Sequence, residues 1–507
     1  MYMGIPYGLV NPLNPFGPSS PHPAFDGIFD AVDDTALCPQ IEEFNNTLAG
    51  SLDCLHLNVF VPNNNDTPKA VLAWIFGGRF ELGFYGTYLY GPKFLVRHNI
   101  ILVTINYRLG PYGFMCTDNP RVPGNQGLKD QLLALRWINE NIANFGGDTD
   151  RITIDGNSAG SMSSDFHIIR NHEPRLFHQA ILQSGTSLSP SFPFPDKDAP
   201  ITLAKHFGME TNDTDLALDY INNIEPLEIV QASVDIGFAF RPCIEEDFSS
   251  DGVAPFLKHN WVADDTRPLV KDMNIMAGFN NDEGLGGFVA FNRSLENSVN
   301  ESLTGTFDID HKLFTGKDIA GQFFIGDEYV IDNLQGAVDM RSDTSFIHPT
   351  IREVERFLRN DVNRVYVYLF SYSGGRNFVK HRANITQGGA LHADEIGYLF
   401  DIEYMEEPTV EDQLIVDRMT EMWANFVKYG DPTPQTSNLL PVKWEPISST
   451  DYNYIEIGAD LSVGRRPLNE RMTFWDLFFE QYGHLQRFIL GNDRSFEKKL
   501  LDEIIPY

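Results

Sequence analysis

A chain of 507 residues that is 42% hydrophobic and 21% charged has ample material for a large buried core, and α/β enzymes of this length often form one unit. Its 38 Lys and Arg face 70 Asp and Glu, a formal charge of −32, which argues against nucleic acid and anionic membrane surfaces as partners. No apolar run approaches the roughly 18 residues needed to cross a bilayer, and the first thirty residues lack the basic and apolar regions of a signal peptide.

Along the chain, Cys38 and Cys54 bracket one loop, while Cys116 and Cys243 read as buried thiols; four cysteines are too few for a dense disulfide framework. Asn-x-Ser/Thr acceptors stand at Asn45, Asn65, Asn212, Asn292, Asn300 and Asn384, a mild compositional hint of secretion. Short apolar runs at Val71–Phe76, Ile100–Tyr107, Arg151–Asp155, Ala180–Gln183, Ile275–Ala277 and Val365–Phe370 lack apolar/polar alternation, as strands buried on both faces of a parallel sheet do. The first of them runs into AWIFGGRFELGF, where Gly77 and Gly78 predict a loop whose backbone N–H groups face a ligand.

After the second run, GLKDQLLALRWINENIANFGG places Leu132, Leu135, Ile138 and Ile142 at helical spacing, and Gly146 and Gly147 are its stop signals. The third run leads into RITIDGNSAG and then SMSSDFHIIR, a strand, a G-x-S-x-G turn and a helix. The pentapeptide alone is a weak signal, but this context fits a nucleophile elbow. A tight strand-to-helix turn lifts the Ser158 Oγ clear of the sheet, demands small neighbours, and aims the Ala159 N–H at a developing oxyanion. The stretch from about Pro190 to Pro268 is less regular and reads as an inserted helical region.

A serine nucleophile needs a base, and the base a carboxylate to orient it, on loops after later strands. GFNNDEGLGGF follows the fifth run and offers Asp282 and Glu283; residue chemistry alone leaves the two open. QGGALHADEIGYLF follows the sixth and places His392 in a glycine-rich loop, with His381 the weaker competitor. HEPRLFH lacks HExxH spacing and contains Pro174, so it is not a zinc motif. The remaining acidic pairs read as solvated surface.

The segments GIPYG, LDCLHLNVFVP, AWIFGGRF, NYRLGPYGF, GNQGLKDQLLALRWINENIANFGGD, ITIDGNSAG, ILQSGT, GFNNDEG, ALHADEIGYLF, WANFVKYGDPTP and RMTFWDLF resemble the type-B carboxylesterase/cholinesterase family. The resemblance spans nearly the whole chain. It implies one α/β-hydrolase domain over residues 1–507, with an incomplete amino terminus and a central, mostly parallel twisted sheet flanked by helices and carrying helical insertions. It implies serine ester hydrolysis by Ser158, with His392 as general base and Glu283 as orienting acid. Gly78, Arg79 and Ala159 are the implied oxyanion donors and Cys38–Cys54 the implied disulfide, which favours an oxidising, extracellular compartment. No metal or organic cofactor is required, the expected partner is a small carboxylic ester, no membrane anchor is visible, and the oligomeric state is open.

Two departures bear on substrate. Asn157 stands where cholinesterases carry a glutamate, and the Cys38–Cys54 loop has Phe44 as its only large ring. Both argue against quaternary-ammonium esters, which need aromatic faces and negative charge. Arg79 replaces a third glycine in the oxyanion loop. It keeps its N–H, and three readings stay open: a salt-bridged side chain turned outward, a cation assisting the oxyanion or an anionic acyl group, or an obstruction. The leading reading is thus a secreted esterase of uncharged esters, with a cytoplasmic variant as the alternative location. A sequestering protein with slow turnover is the alternative, and the adhesion branch of the family, which usually lacks an intact triad, comes last.

Overall fold

Ten strands form the central sheet of the computed structural model, which describes residues 1–64, 68–170, 174–190, 195–289, 298–307, 314–326, 333–448 and 450–486. In chain order they are β1 (Tyr2–Pro6), β2 (His56–Phe60), β3 (Lys69–Ile75), β4 (Ile101–Ile105), β5 (Gly147–Asn157), β6 (Gln179–Gln183), β7 (Asn274–Asn280), β8 (Arg364–Phe370), β9 (Asn453–Ile457) and β10 (Leu461–Arg465). Their spatial order is β1-β2-β4-β3-β5-β6-β7-β8-β9-β10. Strands β3 to β9 pair in parallel, and β1, β2 and β10 join as antiparallel edges.

The six strands expected from apolar runs are the central parallel ones, β3 to β8. Every residue of β3, KAVLAWI, is buried, because helices cover both faces; this is why the runs show no alternation. The edge strands were not identifiable from apolar runs. Each is five residues long and partly exposed: in β10, four of the five residues are not buried. Strand β7 also extends beyond Ile275–Ala277 to Asn280, since Asn280 pairs with Phe370 in the ladder.

Helix α1 (Gln126–Asn141) buries Leu132, Leu135 and Ile138, and a 3₁₀ turn at Ile142–Phe145 extends it. Gly146 then adopts φ 80° and caps the turn, a left-handed conformation that glycine reaches without a Cβ clash. Gly147 is not part of the stop; it opens β5. Helix α2 (Ala159–Arg170) follows β5 directly. The insert is helical as expected, with helices at Ala199–His206, Thr214–Ile221 and Pro226–Ile236. A second helical stretch between β7 and β8 includes α3 (Leu334–Ser342) and α4 (His348–Arg359), while α5 (Val410–Tyr429) and α6 (Asn469–Tyr482) flank the last strands. No helix among the described residues is long and apolar enough to cross a membrane.

Cys38 and Cys54 form the expected disulfide. The reading of Cys116 and Cys243 as thiols is corrected: they too are bonded, across 127 residues of sequence. Nothing local signals that pairing, because the insert must first fold back onto the segment after β4. Asn125 fixes the approach, accepting from the Cys243 N–H and donating to its carbonyl at 2.9 and 2.8 Å. Gly124 gives the sulfurs room, since a Cβ there would lie 2.6 and 2.8 Å from them. Closing so long a loop restricts the unfolded chain, so replacing both residues with alanine is expected to lower unfolding free energy by about 3–4 kcal/mol. Denaturant melts of the two forms check this.

Candidate active site

The G-x-S-x-G turn sits where β5 ends and α2 begins. Ser158 has φ 56°, a left-handed conformation costing a non-glycine residue roughly 1–2 kcal/mol. Its N–H donates to the Gln183 carbonyl at 2.9 Å, and its own carbonyl accepts from Met162. Both flanking glycines are sterically required. A Cβ on Gly160 would lie 1.9 Å from the Ile75 carbonyl oxygen, and one on Gly156 would lie 2.4 Å from the Gly160 carbonyl carbon. The helix can therefore approach β3 closely enough to make the sharp turn.

Opposite Ser158 runs the loop after β3. A Cβ on Gly77 would meet the Asn157 carbonyl at 2.6 Å and the Ser158 Cβ at 3.0 Å, so this loop lies directly against the serine. Gly78, Arg79 and Phe80 follow with φ values of 114°, 57° and 62°. The left-handed run leaves the N–H groups of Gly78 and Arg79, with that of Ala159 at the start of α2, without a protein acceptor among the described residues. Arg79 accepts the left-handed cost and turns its side chain outward. It is 67% exposed and reaches Glu81 at 3.5 Å, while the other Glu81 oxygen binds Arg241 at 2.7 Å.

The acid and the histidine meet across two loops. His392 Nδ1 lies 2.7 Å from Glu283 Oε2, and the other Glu283 oxygen accepts from the Asn280 backbone N–H at 2.8 Å. Glu283 is fully buried, whereas 27% of the His392 side chain stays open. Burial disfavours the imidazolium, but the charge of Glu283 and its hydrogen bond outweigh that cost. With smaller contributions from Glu395 and Asp394, they raise the His392 pKa above its ordinary value.

Asp282, the other candidate acid, points away from the histidine. It accepts from the Gly389 N–H at 2.7 Å and from Gln335, and its own N–H donates to Ala390. Its work is to stitch the acid loop to the histidine loop. His381 is exposed on a short helix at Phe378–Ala383, with its ring near Tyr404.

Three residues that the sequence reading passed over hold the histidine loop. Asp394 accepts from the N–H groups of Leu391, Val379 and Lys380 and from the Asn377 amide. The Lys380 Nζ donates to the carbonyls of Gly388 and Gly389. Glu395 accepts from Asn157 at 2.7 Å and from Asn280 at 2.6 Å, joining the elbow, the acid loop and the histidine loop. Burial pushes its carboxyl up to about 7, with the negative charge of Glu283 adding to the effect. Asp394 and Glu395 are both buried, so the reading of the acidic pairs as solvated surface is corrected here. The available signal was their position two and three residues after His392.

Of the candidate glycosylation residues, Asn45, Asn212, Asn300 and Asn384 are exposed; Asn65 and Asn292 lie outside the described residues. No cluster of three or more metal-binding side chains occurs among the described residues.

Comparison with known proteins places the chain among relatives. Residues 1–475 match the sequence profile of the Carboxylesterase family. Carboxylesterase 5A of Mus musculus is 30% identical, with 94% of this chain and 84% of the relative covered. The bile salt-activated lipase of Rattus norvegicus is 29% identical over 95% of this chain and 81% of the lipase. The cholinesterase of Mus musculus is 29% identical, covering 94% and 83% respectively.

Proposed function

The chain belongs to the carboxylesterase family, a family of carboxylic ester hydrolases with the α/β-hydrolase fold, and from that premise we propose that Ser158, His392 and Glu283 hydrolyse uncharged carboxylic esters in two steps. The observation that carries this reading is the 2.7 Å contact of His392 with a fully buried Glu283, on loops joined through Glu395 to the elbow that presents Ser158. The carboxylate fixes the proton on Nδ1 and leaves Nε2 to accept the serine proton. Ser158 Oγ attacks the acyl carbon, and the oxygen that gains charge faces the N–H groups of Gly78, Arg79 and Ala159. The imidazolium returns its proton to the departing alcohol. Water then repeats the sequence on the acyl-enzyme, and no metal or organic cofactor enters either step.

Uncharged substrates, of the xenobiotic, hormone or odorant type, are supported by what surrounds the elbow. Asn157 is neutral and its amide is committed to Glu395. Phe44, the one large ring of the Cys38–Cys54 loop, is packed in T-shaped contacts with Tyr88 and Tyr404, at 5.3 and 5.8 Å. Phe80 of the oxyanion loop packs on Phe114 at 4.9 Å, and Phe114, Asp196, Phe238, Phe240 and Arg241 are among the residues lining a cavity of about 230 Å³. Two disulfides and four exposed acceptor asparagines support a secreted protein.

The outward geometry of Arg79 favours the bystander reading over assistance or obstruction. Arg79→Gly is therefore expected to change kcat on p-nitrophenyl acetate by less than about threefold, because the backbone N–H that serves the oxyanion is kept. A stopped-flow and steady-state comparison decides the larger question. Steady turnover, with one equivalent of organophosphate incorporated at Ser158, supports the esterase. A single burst followed by silence, relieved by Arg79→Gly, overturns it in favour of an ester-sequestering protein.

A further inference from the structure

One face of the His392 imidazole is covered by an aromatic ring. Phe346 stacks on it with centroids 4.1 Å apart and planes 18° from parallel. Phe346 lies in a π-helical turn, Asp343–Ile347, which joins α3 to α4 in one continuous helix. The His348 N–H bonds to the Asp343 carbonyl, five residues back. Pro349 follows at once. It lacks an N–H and its ring crowds the carbonyl four residues earlier, a conflict that a widened turn relieves. The extra residue rotates the side chains of the turn relative to an unbroken α-helix and brings Phe346 to the histidine.

The turn is anchored on two sides. Asp343 is fully buried and accepts from Arg471 Nε at 2.9 Å and Trp475 Nε1 at 3.0 Å, both on α6. At the end of α3, Ser342 Oγ accepts from the Gly284 N–H at 2.9 Å, the residue next to Glu283. The ring and the carboxylate that contact His392 are thus held in one frame.

We propose that Phe346 is a positioning residue for His392: its ring fixes the plane of the imidazole, which the hydrogen bond that His392 donates to Glu283 does not. A single contact at Nδ1 leaves the ring free to tilt about the axis of that bond. A parallel ring at stacking distance opposes tilt yet permits small sliding in the plane, the motion needed to receive a proton from Ser158 and pass it to a leaving alcohol. The same face stabilises the cationic form. The charged groups facing the imidazole are Glu283 on the acid loop and Glu395 and Asp394 on its own loop. This inference rests on the catalytic reading of Ser158, Glu283 and His392.

The test uses Phe346→Leu and Phe346→Met, which keep apolar volume without a ring, beside Phe346→Tyr, which keeps the ring. Two quantities are read: ester kinetics, and the His392 pKa followed by NMR through the imidazole resonance lost in His392→Gln. The ring-less variants are expected to lose roughly 10- to 30-fold in kcat, the scale of a misplaced catalytic group, with KM within about twofold. Their His392 pKa is expected to fall by about half a unit as the cation loses its aromatic face. The Tyr variant is expected to hold both near the starting values. A raised KM at unchanged kcat, or an unchanged pKa in both ring-less variants, overturns the proposal. Because the pKa is read without ester turnover, a protein that fails to hydrolyse esters sinks the catalytic reading while the titration still decides the stack.

Discussion

Ser158→Ala is expected to lower kcat/KM on a p-nitrophenyl ester by roughly 10⁵- to 10⁶-fold while leaving the fold intact. Removing the hydroxyl ends acyl-enzyme formation. What remains is the slow attack of water, assisted by the oxyanion N–H groups. Stability is expected to change little, because alanine meets the same left-handed penalty as serine at φ 56°. Glycine at this position is expected to gain up to about 1 kcal/mol, the relieved strain less the entropy of a freer unfolded chain. Strain at the elbow is therefore held by the surrounding structure and coupled to function. Loss of organophosphate labelling in the alanine variant, with an unchanged melting temperature, is the paired observation. Retained turnover would show that another group carries the chemistry.

The parts of this site legible in the sequence are those set by local rules. The elbow follows from strand, tight turn and helix, and the parallel strands follow from runs with no polar alternation. The choice between Asp282 and Glu283 was not local, since adjacent carboxylates differ only in which side of the loop they face. In the structure Asp282 meets the Gly389 N–H and Glu283 meets His392, contacts that support the proposal of Glu283 as the acid. Arg79 was legible as an anomaly but not in its direction, because its partner Glu81 is itself shared with Arg241, over 150 residues away. The Cys116–Cys243 bond and the Glu395 bridge from Asn157 to Asn280 depend on contacts more than a hundred residues apart. The π-helical turn bearing Phe346 has Pro349 as its one sequence mark, and a proline does not reveal which side chain the turn will deliver.

Glu283→Gln is expected to lower kcat by about 10⁴-fold although it preserves shape. The Asn280 N–H must be met by an acceptor where Glu283 Oε1 now lies. A glutamine side chain satisfies it by placing its carbonyl there, which turns its amide NH₂ toward His392. The imidazole then accepts at Nδ1 and carries its proton on Nε2, so it can no longer take the serine proton. Charge is lost together with geometry. In the native protein Glu283 outweighs burial and raises the His392 pKa; with a neutral partner burial dominates, so the pKa falls. The acid limb of kcat/KM against pH is therefore expected to move to lower pH as the plateau drops. Stability follows the same sign. A raised folded pKa contributes stability that is fully present below the unfolded value and lost as pH rises through the folded one; a depressed pKa instead loses stability on acidification. Denaturant titrations of both proteins at pH 5 and pH 8 should then diverge in opposite directions. A variant with a normal plateau and an unmoved acid limb would remove Glu283 from the mechanism.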